Sequence, residues 1–379
     1  MTKERTEERG MRKRKREKVN TGKKNHGKRI AVTILAVFVG VTALSMAAFL
    51  LLKAKGKTNI QNETAGASPS MDTGEVTEEQ KKAEAWPEGR ISYKGQLYDY
   101  NSDIMTFLVM GIDSKDEKVK ETEEARQGGQ ADTIFLLVLN PHNKKMQMIA
   151  LDRNTMAEVD RYGEQDAYLD TIITQICVQH GFGDGTVKSA ERMEKAVSKV
   201  FMDLPFTGYC AINMSAIPKI NDFVGGVTLT VQQDLSKRSP NLVAGSTVTL
   251  TGKEAYEYIH YRDTGEFGTA AERLQRQKQY MVAYVKQAKE AFKKDPSLPV
   301  TVFNTLLDYM TTDVTLDEAT YLASEAAGYS FDENSMLTVP GETKQGEIYE
   351  EFYPDEEALQ QLIIDVFYEK VQNQTDTGS

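Results

Sequence analysis

The feature that most limits this chain is the run IAVTILAVFVGVTALSMAAFLLL, Ile30 to Leu52, which contains no charge and no proline. As a helix it would extend about 35 Å, enough to cross a bilayer core of about 30 Å. It exceeds the apolar part of a cleaved signal peptide, roughly 7–15 residues, and no clear small-residue cleavage site follows. Residues 30–52 are therefore expected to form an uncleaved transmembrane signal-anchor. Upstream, residues 1–29 hold 13 Lys or Arg against 4 Asp or Glu, whereas only Lys53, Lys55 and Lys57 follow closely downstream. That bias predicts a single-pass protein of the cell membrane, with its N-terminus cytoplasmic and its main domain extracytoplasmic.

The basic arm carries +9; because the whole chain is −10, the remainder carries −19. An acidic body repels a phosphate backbone, and anionic lipid already accounts for the juxtamembrane cluster RKRKREK. No nucleic-acid partner is expected. With only Cys177 and Cys210, four histidines and no CxxC, a disulfide scaffold and a Cys/His metal cluster are both excluded. The two cysteines either pair or stay as buried thiols.

Residues 53–100, rich in Thr, Ser, Glu, Lys and Gly, read as an extracytoplasmic linker with a short helix from Glu78 to Ala85. Trp86 and the tyrosines after it begin to look folded. Residues 101–370 alternate between strand and helix patterns and read as one catalytic domain; 371–379 read as a disordered tail. IMTFLVMGI, DTIFLLVLN and MQMIAL are strand-like, the last two joined by the turn Pro141 to Lys144. YLDTIITQICVQH and SAERMEKAVSKVF have helical spacing, and their apolar residues either line a groove or fill the core. FTGYCAIN and GGVTLTV read as strands, SAIPKINDFV as a short helix. Thr251 with Glu254 and Thr315 with Glu318 are capping boxes, and a long helix is expected over Ala270 to Lys293. Residues after about 300 read as helices completing the domain, with no chemistry assigned. The expected fold is α/β, a mixed central sheet flanked by helices and preceded by one transmembrane helix.

GxSxG, HExxH, the Walker loop and a post-strand GxGxxG are all absent. What remains is acids and arginines at element ends. Asp113 follows the first strand and Asp132 begins the next, so antiparallel pairing would bring both carboxylates to one hard cation such as Mg²⁺. Otherwise Asp113 caps a turn and Asp132 solvates a strand end. Arg153 follows the third strand and Arg262 follows KEAYEYIHYR. Arg273, Arg276, Gln277 and Tyr280 share one helical face. Converging guanidiniums suit a pyrophosphate; the plainer reading is a solvated helix face.

The succession FLVMGIDS, ADTIFLLVLNPHNKKMQMIALDRNT, INMSAIPKINDFVGGVTLTV and LTGKEAYEYIHYRD with ERLQRQKQYM resembles the LytR-CpsA-Psr family over about residues 103–285. The resemblance implies a Mg²⁺-dependent phosphotransferase. Such a ligase moves a polyprenyl-pyrophosphate-linked glycopolymer, of teichoic acid or capsule type, onto peptidoglycan, with the lipid tail in an apolar groove. It makes Asp113 and Asp132 the metal acids, with Asp132, Arg153 and Arg262 catalytic. Arg153, Arg262, Arg273, Arg276, Gln277 and His260 become the pyrophosphate-binding and supporting polar set. This chain departs from the family pattern at Gln130 and His260, where arginine is usual, and at Asn154, where aspartate is usual. Those departures motivate an alternative, a binder of the lipid pyrophosphate or wall polymer with weakened turnover. A transcription regulator is the third reading, disfavoured by topology.

Overall fold

The computed structural model describes residues 48–60, 68–83, 85–114, 116–122, 127–263 and 269–371. The chain divides after Ala54 into two units, and the elements below belong to the second, Lys55–Ser379. The basic arm, most of the expected anchor and the tail from 372 lie outside the described residues. Among the described residues no helix is long and apolar enough to cross a membrane.

A six-stranded sheet forms the centre, in the order Met310–Thr312, Gly208–Asn213, Met105–Asp113, Gln130–Asn140, Lys145–Leu151 and Met336–Thr338. It is mixed: Met105–Asp113 runs parallel to Gly208–Asn213 but antiparallel to Gln130–Asn140, and the last pair is again parallel. Both faces are buried, which explains why the central strands read as near-continuous apolar runs. On one face Leu108, Met110, Leu136 and Ile149 pack against Met193, Val197 and Phe201 of helix Val187–Val200 and Ile363 and Phe367 of helix Glu356–Phe367. On the other, Val109, Phe135 and Met148 meet Leu274, Met281 and Val282 of helix Thr269–Lys294. Each fully buried side chain of this size contributes about 2 kcal/mol.

Both expected capping boxes form, at Thr251/Glu254 and Thr315/Glu318. Three expectations are corrected. First, YLDTIITQICVQH is not a helix: Tyr168–Gln175 is a strand paired with Met156–Tyr162, followed by the 3₁₀ segment Ile176–Phe182. The consecutive β-branched residues Thr171 to Thr174 favour a strand. Tyr168, Leu169 and Ile173 are exposed there, whereas Ile172, Thr174 and Val178 of the same segment line a cavity; Met193 and Phe201 fill the core. Second, the segment expected as linker folds before residue 101. Ile91–Tyr93 and Gln96–Tyr100 form a sheet with Tyr368–Lys370, and Ile60 packs against Met105 and Phe107. The segment is apolar enough because its few large residues are buried together with the C-terminal strand. Third, the region after 300 contributes strands as well as helices, including the hairpin Gly341–Gln345 with Glu350–Pro354. Cys177 and Cys210 are free thiols.

Candidate active site

The antiparallel pairing sets Asp113 opposite Gln130 and Ile112 opposite Ala131. The register shifts between Gly111 and Ile112, since Gly111 faces Thr133, and Asp132 is left with no Cα partner on that strand. A bulge of this kind re-aims a side chain. Asp132 is buried at 8 % exposure. Its Oδ1 lies 2.6 Å from Arg153 Nη1 and its Oδ2 3.4 Å from Arg273 Nη1. Arg153 enters from the end of the neighbouring strand Lys145–Leu151, and Arg273 from about one turn inside the long helix.

Arg153 Nη2 also donates to Gln130 Oε1 at 2.6 Å and to Cys177 Sγ at 3.2 Å. Burial opposes charge on Arg153, but Cys177 and Asp132 outweigh it and hold the guanidinium above its ordinary value. For Arg273 burial wins over the more distant Asp132, and the guanidinium is lowered, with Arg153 and Arg262 adding to the effect. On Arg153 the Cys177 sulfur and the shorter ion pair together offset desolvation, whereas on Arg273 the longer ion pair does not.

Arg262 donates from Nε to Thr269 Oγ1 at 3.3 Å and from Nη2 to Glu350 Oε2 at 3.0 Å. Burial raises the Asp152 carboxyl; the Asn154 N–H and the charge of Arg273 pull it down, while Glu350 raises it further. The acids Asp132, Asp152 and Glu350 therefore offset Arg153, Arg262 and Arg273 within one electrostatic cluster.

Arg276 and Gln277 serve the scaffold. Arg276 Nε donates to the Tyr258 carbonyl at 2.8 Å, and its Nη atoms reach Gln233 and the Tyr261 carbonyl. Gln277 Nε2 reaches Thr133 Oγ1 at 3.0 Å and the Ile259 carbonyl at 3.1 Å. Together they bind the end of helix Gly252–His260 to the long helix, just before Arg262. His260 stacks on Tyr256 with ring centroids 4.7 Å apart. Burial, then the carboxylates of Asp113, Glu257 and Asp132, push the Tyr256 phenol up.

The expected residues thus divide. Asp132, Arg153 and Arg273 meet directly, Arg262 joins through its charge and its partner Glu350, and Arg276 and Gln277 support them. Asp113 is exposed and, among the described residues, forms no ion pair. Glu350, Asp152, Cys177 and Tyr256 were missed as site residues. Asp152 adjoins Arg153 and Tyr256 stands one turn before His260, which are usable signals. Nothing in the local sequence singles out Glu350.

For a metal, Asp113 and Asp132 supply hard carboxylate oxygens at one end of the sheet. Among the described residues there is no group of three or more potential protein ligands. That donor set fits Mg²⁺, which takes one or two carboxylates and completes its shell with water and phosphate.

Two cavities adjoin the sheet. One of about 820 Å³ is lined by Asp113, Gln130, Thr174, Ala211 and Asn213. The other, about 360 Å³, is apolar and lined by Cys210, Ile212, Tyr284, Phe292, Phe303 and Leu306. Alternating residues of strand Gly208–Asn213 serve the two, so they lie on opposite faces of the sheet.

The model of the LytR_cpsA_psr family matches residues 61–365. A relative from Bacillus cereus, the polyisoprenyl-teichoic acid–peptidoglycan teichoic acid transferase TagU, is 30% identical over 190 residues, 49% of this chain and 53% of its own. TagU of Halalkalibacterium halodurans is 27% identical over 263 residues, 67% of this chain and 76% of its own. The match thus spans about half of the first relative and three quarters of the second. The crystal structure of Bacillus subtilis TagV superposes with a TM-score of 0.53 at 20% identity, covering 69% of this chain and 95% of that one, a likeness of fold.

Proposed function

The chain belongs to the LytR-CpsA-Psr family, and from that premise we propose that it is a membrane-anchored, extracytoplasmic phosphotransferase. It would attach a polyprenyl-pyrophosphate-linked glycopolymer to peptidoglycan. The names of the TagU relatives support the reaction class. The observation that carries the reading is the cluster around Asp132, where three arginines converge at one end of the sheet. The apolar cavity on one face suits a lipid tail, and the polar cavity on the other suits a glycan.

Asp113 and Asp132 would hold Mg²⁺, which when bound supplies positive charge to the phosphates and offsets the carboxylates. Arg153, Arg262 and Arg273 would bind and orient the pyrophosphate. Catalysis by positioning and charge neutralisation is what phosphoryl transfer requires. A peptidoglycan hydroxyl, arriving from the polar cavity, attacks the phosphorus bonded to the sugar. The bond from that phosphorus to the bridging oxygen breaks, and lipid phosphate leaves with the electron pair. The hydroxyl proton passes to a carboxylate; Asp113 lines that cavity at the end of its strand, with Asp116 and Glu121 further along the following loop.

The test is transfer of a labelled polyprenyl-pyrophosphate oligosaccharide to peptidoglycan fragments by the full-length protein in detergent, with and without Mg²⁺. Metal-dependent transfer that disappears in Asp132→Ala supports the reaction. Tight donor binding without transfer supports a second reading, a non-transferring binder. The hydrogen bond from Arg153 to Gln130, at a position where the family usually has arginine, favours that one.

A further inference from the structure

We propose that Glu350 is the positioning residue for Arg262, an inference that rests on the function proposed above. Arg262 engages the protein along one edge of its guanidinium, Nε to Thr269 Oγ1 and Nη2 to Glu350 Oε2. In a planar guanidinium those two N–H bonds point the same way. The Nη1/Nη2 end is therefore the edge turned from these partners and available to take a phosphate in bidentate fashion.

Glu350 is itself held in place. Its carbonyl accepts from Gln175 Nε2 at 2.8 Å. Two residues on, the Phe352 N–H donates to the Asn154 carbonyl at 3.0 Å, and Phe352 bridges Thr155. Asn154 and Thr155 directly follow Arg153, so one strand sets both arginines: Arg153 through the backbone, Arg262 through the Glu350 side chain. Glu350 is only 6 % exposed, yet Ile348 and Tyr349 beside it are 76 % and 66 % exposed. A carboxylate taken out of water at the base of an exposed hairpin is costly unless its partner compensates it. Arg262 is that partner, and Asp152 and Arg273 complete the surroundings.

The experiment is a double-mutant cycle in the full-length protein with Glu350→Gln, Arg262→Ala and both together, beside Glu350→Asp. Thermal unfolding checks that each variant is folded. Glu350→Gln is expected to lower kcat/KM for the lipid-linked donor on the order of 100-fold, the effect of displacing a positioned group. Most of the loss should lie in KM, and Glu350→Asp should recover part of it. With Arg262→Ala already present, adding Glu350→Gln should change kcat/KM less than about twofold, since the two residues act as one. The same proteins titrated with inorganic pyrophosphate and Mg²⁺ read the placement of Arg262 without turnover. There Glu350→Gln should weaken binding. Tighter binding, expected if Glu350 only competed with phosphate for Arg262, overturns the proposal. Equal losses in the two backgrounds also overturn it. Absence of transfer by the unmodified protein, with pyrophosphate coupling intact, instead overturns the reaction and leaves the positioning established.

Discussion

Asp132 Oδ1 and Arg153 Nη1 stand 2.6 Å apart, with Arg273 on the other carboxylate oxygen and all three side chains largely buried. The acid and the arginines that tip separate elements thus neutralise one another before any anion arrives. Asp132→Ala removes the counter-charge from two buried guanidiniums and is expected to cost about 3–5 kcal/mol of stability. Urea unfolding measures this; an unchanged midpoint would mean that water or another acid replaces the carboxylate.

Gln130 accepts from Arg153 at its exposed side. Gln130→Ala should leave the unfolding midpoint nearly unchanged. It should lower kcat/KM about tenfold, the loss of one hydrogen bond to a charged group. Steady-state kinetics with the lipid-linked donor decide it, and undiminished turnover would show that Asp132 alone orients Arg153.

Gly129 has φ +79, and a Cβ there would stand 2.9 Å from the Asp113 carbonyl oxygen. Gly129→Ala is therefore strained twice over, in backbone conformation and against the strand end that carries Asp113. A stability loss of at least about 1–2 kcal/mol is expected. A weaker Mg²⁺ dependence of transfer should accompany it, measured by metal titration.

His180 is buried, and its Nδ1 meets the Gly128 carbonyl at 2.8 Å, holding the loop before Gln130. Burial lowers its pKa from 6.5 to about 4. The unfolded state thus binds a proton that the folded state refuses. This contribution is fully present above about pH 6.5, falls as pH drops towards 4, and amounts to about 3 kcal/mol. His180→Gln should flatten the slope of stability against pH across that window. A slope unchanged in the variant would assign the pH dependence to other groups.

Cys177 is buried and its thiol is pushed up by burial, against the pull of Arg153. Burial raises Cys210 to about 12. Alkylation at pH 8 should therefore be slow for both in the native protein and fast after unfolding. Mass spectrometry of the labelled protein distinguishes the two.

Where the sequence was legible, a local pattern and the tertiary contact agreed. Asp113 and Asp132 flank a loop between two apolar strands, so antiparallel pairing alone brought their ends together. Arg273 and Gln277 were legible as a helical pair, but their division between ion pair and scaffold depends on what lies opposite: Asp132 for one, Thr133 and the Ile259 carbonyl for the other. YLDTIITQ misled because its apolar spacing fits a helix, while its run of β-branched residues and its pairing with Met156–Tyr162 decide for a strand. The bulge at Asp132 left no trace in residue spacing. Glu350 was illegible for a related reason: an acid in an acidic segment becomes special only through a partner 88 residues away.

Gln96–Tyr100 is hydrogen-bonded to Tyr368–Lys370, so the folded part closes on itself like a clasp. A nascent chain delivered N-terminus first has already released Asp132, Arg153, Arg262 and Arg273 when Glu350 and the closing strand are still to come. Contacts this far apart in sequence form late. The protein consequently passes through most of its synthesis with Arg262 lacking its Glu350 partner, and the clasp shuts only once Tyr368–Lys370 is in place.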